Sequence, residues 1–361
     1  MGLLVTRITF ADFRSYERFE LEPSASLTVL VGPNAVGKTN VIEGIELLTA
    51  AESFRKPAWN DVVRWGADES KLELTAEGDG RVLEIEMYAG LSGKRTYKVN
   101  GKTRRRISEV AGIIPCVVFT PDDLRLVKDS ADKRRGAVDG VGDQLSPAYR
   151  TARVDYERIL KHRNSLLREE SSDDDLLSAW SARLVDSGVA FSGHRRRLFD
   201  RILAKVSEVY RILSGGEGLT AVYQPSWETR PETDLDPREA MESALQRRGR
   251  EERARGTTLV GPHRDEIVFY VDGKDARSFG SQGQQRTIAL AWKLAEVGVM
   301  TEIGGQPPVL LLDDVMSELD ESRRHALARF VGEAAQTFVT TTNLGYFDRE
   351  LVERALVVEL K

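Results

Sequence analysis

One cysteine in 361 residues leaves no partner for an internal disulfide, and Cys116 alone cannot build a cysteine metal cage. Histidine is almost as scarce: His162, His194, His263 and His325 lie scattered, without metal-ligand spacing. No stretch approaches the ~18 uninterrupted apolar residues of a membrane span. The opening Met-Gly-Leu-Leu-Val-Thr-Arg leads into no apolar run either, so no signal peptide and no membrane association are expected, and the expected location is cytoplasmic. A positive excess is also missing. Lys and Arg number 52 against 57 Asp and Glu, a formal net charge of −5, which speaks against a surface that is basic throughout. Apolar residues make up 41%, enough to exclude dominant disorder, and the length suits about two domains or one large domain with an insertion.

Three textures follow one another along the chain. Residues 1–125 read as strands and turns with one helix. Residues 27–31 form an apolar, β-branched run, the mark of a buried strand. Residues 71–75, 82–88 and 95–99 alternate polar with apolar, and Asn100-Gly101 then signals a hairpin, so an antiparallel sheet lies beside the first strand. Residues 126–255 read as a helical lobe, with apolar residues recurring at three and four spacing over 146–168 and 176–213. A polar loop at 171–175 would cap the second of these helices, and Gly215-Gly-Glu-Gly218 would end it. Residues 256–361 return to α/β texture, with strand candidates at 309–314 and 337–341. The pattern predicts an α/β fold, a mixed sheet interrupted by an inserted helical lobe.

Gly32, Pro33, Asn34, Ala35, Val36, Gly37, Lys38 and Thr39 fit the phosphate-loop pattern G-x-x-x-x-G-K-[ST], and Asn40 opens a helix over 40–48. Such a loop points successive backbone N–H groups inward, forming an anion nest at a helix N-terminus. Lys38 is placed to reach the β- and γ-phosphates of ATP, and Thr39 to offer its hydroxyl to Mg²⁺. Four consecutive aliphatics at 309–312 precede Asp313 and Asp314, as in a fully buried parallel strand. Asp313 would hold Mg²⁺ through water, and Asp314 would orient the attacking water as general base.

Ser281, Gln282, Gly283 and Gln284 open a helix expected over 286–297 and make a second anion-binding helix N-terminus. One triphosphate needs one cradle, so the second is read as serving a nucleotide held by another subunit. Ser317 and Asp320 follow the acidic strand and would line the same interface. Ordinary N-capping accounts for Ser281 and Ser317 equally well. Positive runs occur at 102–106, 133–135, 195–197 and 247–255. Arg104, Arg105 and Arg106 are the expected DNA contacts, presented together at a hairpin tip. No aromatic interleaving marks a single-strand platform. Duplex backbone contact with strong salt dependence is therefore expected.

Taken together these segments resemble the ATP-binding-cassette (ABC) ATPase heads of the SMC and Rad50 type, and more closely the RecF family of bacterial recombination mediators. The start at 4–16, Phe119-Thr-Pro-Asp-Asp-Leu124 and Thr258-Leu-Val-Gly-Pro-His-Arg-Asp265 carry the closer likeness. The resemblance implies an ABC-type P-loop ATPase head, with the phosphate loop in residues 1–125 and the signature and acidic strand in 256–361. It implies slow, DNA-stimulated ATP hydrolysis and a homodimer that closes on DNA (duplex, gap or junction) in ATP, with Mg²⁺ as cofactor. RecR, RecO and RecA are the implied partners in loading RecA at gaps. Lys38, Asp313 and Asp314 take the catalytic roles, Ser281 and Gln284 act in trans within the signature 281–284, and Ser317 and Asp320 form the D-loop. The chain carries Thr340-Thr-Thr-Asn343 where transporter cassettes have a switch histidine. Three other readings of the motifs stand beside this one: an SMC/Rad50-like DNA-structural ATPase, a P-loop kinase acting on a small molecule, and the ATPase subunit of a membrane transporter.

Overall fold

The computed structural model describes residues 2–169, 174–227, 236–333 and 335–361. Two compact units emerge, Met1–Arg125 with Arg286–Lys361 and Leu126–Gln285. The first begins with β1 (Leu4–Phe13), β2 (Tyr16–Leu21), β3 (Leu27–Val31), α1 (Lys38–Thr49), β4 (Glu69–Gly78), β5 (Arg81–Gly90), β6 (Arg95–Val99), β7 (Lys102–Arg104) and β8 (Cys116–Phe119). Six of these strands form an antiparallel sheet in the order β2-β1-β4-β5-β6-β7. Alternation explains the sheet: Ser70, Leu72, Leu74 and Ala76 of β4 are buried while Lys71 and Glu73 ion-pair on the other face. The Asn100-Gly101 turn has positive φ at both residues, 49° and 73°, which matches the right-handed strand twist.

The second unit holds α2 (Ala131–Leu145), α3 (Pro147–Arg168), α4 (Asp174–Leu213), β9 (Leu219–Gln224), α5 (Pro237–Arg255), β10 (Glu266–Val271) and β11 (Lys274–Asp275). Ser146 caps α3 by accepting from the Tyr149 N–H at 3.2 Å, with Pro147 in the first turn. Of the capping loop expected before α4, residues 171–173 lie outside the described residues, while Asp174 and Asp175 stand in the first turn. Past the end of α4, Gly215 and Gly216 both take positive φ. The expected break after residue 255 falls instead after Gln285, and the lobe is not purely helical. β10 pairs antiparallel with β9 from Glu266↔Gln224 to Val271↔Leu219, which draws residues 256–285 into this unit. Buried ion pairs tie its helices together, Arg195 to Asp139 at 2.8 Å and Arg163 to Glu252 at 2.7 Å.

α6 (Gln282–Gly304) carries the chain from one unit into the other. β12 (Val309–Asp313), α7 (Glu321–Glu333), β13 (Thr337–Thr341), α8 (Arg349–Arg354) and β14 (Leu356–Glu359) complete the first unit. Its second sheet is wholly parallel, in the order β14-β3-β13-β12-β8. Every residue of β12 and β13 is buried, hence their unbroken aliphatic and threonine composition. α1 packs against both sheets and is buried nearly all round, including Glu43 and Glu46. Among the described residues no helix is long and apolar enough to cross a membrane.

Candidate nucleotide site

The phosphate loop joins β3 to α1 at the C-terminal edge of the parallel sheet. Two glycines are required by geometry. Gly37 has φ 108°, and a Cβ on it would fall 2.8 Å from the Tyr16 hydroxyl. A Cβ on Gly32 would fall 2.6 Å from the Leu360 carbonyl oxygen. Ala35 also takes a positive φ of 65°, as a loop that turns its N–H groups inward demands. The Lys38 ammonium donates to the carbonyls of Gly32 at 2.7 Å and Pro33 at 2.8 Å, so it lies folded across the loop mouth.

Strand order brings the acidic residues alongside. β13 lies between β3 and β12, and its Thr340 bridges the two. The Thr39 hydroxyl donates to Asp313 Oδ1 at 3.0 Å, and the Thr340 hydroxyl donates to the same oxygen at 2.8 Å. The Asp314 N–H donates to Thr340 Oγ1 at 2.9 Å. Burial raises the Asp313 carboxyl above the usual range against the pull of Thr340, Thr39, Arg55 and Lys38. Burial also raises Asp314, opposed by Lys38 and reinforced by Asp313 and Glu318. Asp314 takes the left-handed conformation, φ 50°, and its Oδ1 is buried with no hydrogen-bond partner among the described residues. Two adjacent carboxyls held above their ordinary pKa, two hydroxyls on one and an unsatisfied oxygen on the other, fit a site for a divalent cation and its water.

A second layer escaped the sequence reading. Glu43 on α1 is fully buried and holds the Arg14 guanidinium at 2.6 and 2.9 Å, Arg55 at 3.2 Å and the Ser53 hydroxyl at 2.8 Å. Arg55 also donates to Asn40 Oδ1 at 2.8 Å, and Asn40 Nδ2 donates to Ser15 Oγ at 2.9 Å. The β1–β2 tip and the segment after α1 are thereby fixed around the phosphate loop. In the sequence Glu43 is marked only as one of two acids, with Glu46, among the apolar residues of α1. Thr341 and Asn343 are engaged locally, Asn343 Oδ1 accepting from the Gly345 N–H at 2.8 Å and Thr341 Oγ1 from the Asn343 N–H at 3.1 Å.

Glu46, one turn further along α1, is pushed up to about 8 by burial, against the Phe54 N–H that donates to it at 2.7 Å. The folded chain therefore keeps a proton on Glu46 between its ordinary 4.5 and about 8, and this contribution to stability is lost as pH rises through that window. Glu46→Gln stays neutral and keeps an acceptor for Phe54. Urea unfolding at pH 5 and pH 8 is expected to show the wild type losing a few kcal/mol more than the variant, on the order set by such a shift. Parallel losses would assign the pH dependence elsewhere.

The signature residues begin α6 rather than precede it. Ser281 and Gln284 form a reciprocal cap: the Gln284 N–H donates to Ser281 Oγ at 3.1 Å, and the Ser281 N–H to Gln284 Oε1 at 2.9 Å. Gln284 Nε2 also donates to Glu217 at 3.0 Å. Gln282 and Gly283 stand in the first turn of α6. Ser317 donates to the Asp314 carbonyl at 2.8 Å, and Asp320 caps α7 through the Arg323 N–H at 3.0 Å. Arg323 in turn reaches Thr287 on α6 at 2.7 Å.

The hairpin tip does not present the three arginines. The tip is Asn100-Gly101, and the register sets Arg104 opposite Tyr97, with its Nε buried and unpartnered among the described residues. Arg105 and Arg106 are exposed beyond the hairpin, their backbone N–H groups held by Glu109 at 3.1 and 2.9 Å. Arg134, Arg135 and Arg195 are buried, Arg134 on Glu266 at 2.9 Å and Arg195 on Asp139, so these three are structural, while Lys133, Arg196 and Arg197 of the same runs are exposed. Along α5, Arg247, Arg248, Arg250, Arg253 and Arg255 are exposed.

A family model described as "RecF/RecN/SMC N terminal domain" matches residues 4–358. The DNA replication and repair protein RecF of Halalkalibacterium halodurans is 37% identical over 99% of this chain and 97% of its own. Among solved structures, the recombination mediator protein RecF-ATPrS in the RecFOR pathway superimposes with a TM-score of 0.89 at 29% identity, covering 96% of this chain and 94% of that one. RecF-ATP of the same pathway gives 0.87 at 30% identity, covering 94% and 92%. The fold is therefore that of the ABC-type ATPase heads, and the chain belongs to the RecF family of DNA replication and repair proteins.

Proposed function

We infer that this chain binds ATP with Mg²⁺, that two copies close head to tail over two nucleotides, and that the closed pair clamps DNA during gap repair until slow hydrolysis opens it. The observation that carries the reading is the meeting of Thr39, Thr340 and Asp313 on one carboxylate oxygen beside a glycine-shaped phosphate loop. Lys38 is to leave the Gly32 and Pro33 carbonyls and donate to the β- and γ-phosphates. Thr39 and Asp313 are to hold the cation, which when bound neutralises phosphate charge. Asp314 is to accept the proton of the attacking water, its unsatisfied oxygen being free for that hydrogen bond. Aspartate is one methylene shorter than the glutamate of transporter cassettes, which suits slow turnover.

Ser281 at the N-terminus of α6 is assigned to the γ-phosphate of a partner copy, with Gln282, Gly283 and Gln284 beside it and Ser317 and Asp320 lining the same interface. Sedimentation velocity tests this arrangement. The wild type is expected to dimerise in ATP and Ser281→Arg to stay monomeric, because a bulky cation would fill the place of the phosphate contact. A Ser281→Arg chain that dimerises normally would remove the trans assignment.

For DNA, the exposed Arg105 and Arg106 and the arginines of α5 are the proposed contacts, with RecR, RecO and RecA as proposed partners in a cytoplasmic repair reaction. Each lost phosphate contact should lower the slope of log affinity against log salt by about 0.9. Arg105→Ala/Arg106→Ala is thus expected to reduce the slope by about 2 on duplex DNA. An unchanged slope would exclude both residues.

A further inference from the structure

We propose that Phe279 is an apolar pin that inserts into a second copy of this chain when ATP closes the dimer. The inference rests on the head-to-tail reading above and adds to it a residue outside the nucleotide motifs. Phe279 stands two residues before Ser281 and is 75% exposed, a large ring left in water beside the cap of α6. The turn that carries it is well tied. Asp275 Oδ1 accepts from the Arg277 N–H at 2.7 Å and the Ser278 N–H at 3.3 Å, and the Phe279 N–H donates to the Asp275 carbonyl at 2.9 Å. Gln285, buried under the turn, donates to the Ala276 carbonyl at 2.8 Å and the Gly280 carbonyl at 3.2 Å. The ring is thus held out on a fixed platform.

The occupant follows from reach. Two residues span at most about 7 Å. A specific interface buries roughly 800 Å² per partner, a patch about 16 Å in radius. A second copy that brings its nucleotide to Ser281 therefore brings its surface within about 7 Å of Phe279. An aromatic side chain near the middle of such a patch is the usual kind of hot spot. Two-fold symmetry puts one ring from each copy into the interface, so a single substitution removes two pins.

The single native cysteine makes the test clean, because Cys116 is buried and its thiol is pushed up to about 12, leaving little background reaction. Phe279→Cys is treated with N-ethylmaleimide, with and without a non-hydrolysable ATP analogue, at a concentration where sedimentation shows it dimeric. Modification is expected to slow at least tenfold with the analogue, and to recover on dilution to monomer. In parallel, Phe279→Ala is expected to weaken the ATP dimer on the order of 100-fold while the monomer's affinity for ATP is unchanged. A Phe279→Cys chain that binds ATP but fails to dimerise where the wild type does also supports the pin. A dimeric variant whose thiol reacts as fast as in the monomer overturns the pin and leaves the dimer standing. A wild type that stays monomeric in ATP overturns both.

Discussion

Replacement of Lys38 by Met is expected to weaken ATP binding by 10²- to 10⁴-fold, the loss of about two charge-assisted hydrogen bonds at 1.5–3 kcal/mol each. The loop itself should survive. Its shape rests on Gly32, Gly37 and the packing of α1 between two sheets, while Lys38 contributes only two bonds to the Gly32 and Pro33 carbonyls. Equilibrium titration with a fluorescent ATP analogue reads the effect, and circular dichroism checks the fold. ATP-dependent dimerisation should vanish with the binding. An affinity within about threefold of the wild type would show that the phosphates lie elsewhere.

The second large effect is on turnover. Asp314→Asn keeps the shape and the left-handed backbone, which asparagine tolerates as well as aspartate, and removes the proton acceptor. Hydrolysis should fall by about 10²- to 10⁴-fold, the usual worth of a general base, with ATP affinity nearly unchanged. The trapped ATP dimer should then remain on DNA through a chase with competitor. The sign of its pKa shift adds a check. Burial and the Asp313 charge raise Asp314, so the wild-type rate should fall on acidification as Asp314 gains its proton, and the variant should lose that limb of the profile. Turnover that survives the substitution would mean another group activates the water.

The motifs proposed to hold phosphate were legible because their local shape is set by neighbours in sequence. A glycine that needs φ 108°, a lysine one residue on and a strand of four aliphatics ending in two acids can all be read along the chain. The role of Thr340 was not, because it depends on β13 lying between β3 and β12, which is a property of strand order. Glu43 with Arg14, Arg55 and Ser53 joins three segments far apart in sequence, so spacing carries no trace of it. Arginine misled for a related reason. Arg134, Arg135 and Arg195 look like surface charge in sequence and are buried ion-pair or carbonyl partners in the fold, while Arg104 turns with its strand toward the sheet's covered face. The boundary at 255 failed because β9 and β10 are short strands set among helices, and pairing between them recruits 30 residues that composition alone assigns to the next unit.

Mixing two inactive chains tests the central claim most directly. In a head-to-tail dimer each nucleotide lies between the phosphate loop of one copy and the signature of the other. A Lys38→Met chain retains a sound signature, and a Ser281→Arg chain retains a sound phosphate loop. Either alone should neither dimerise in ATP nor hydrolyse it. Together they are predicted to rebuild one complete site per mixed dimer, restoring ATP-dependent association and turnover of up to about half the wild-type rate per dimer, as one site of two requires. A mixture as inert as its components would contradict the shared site.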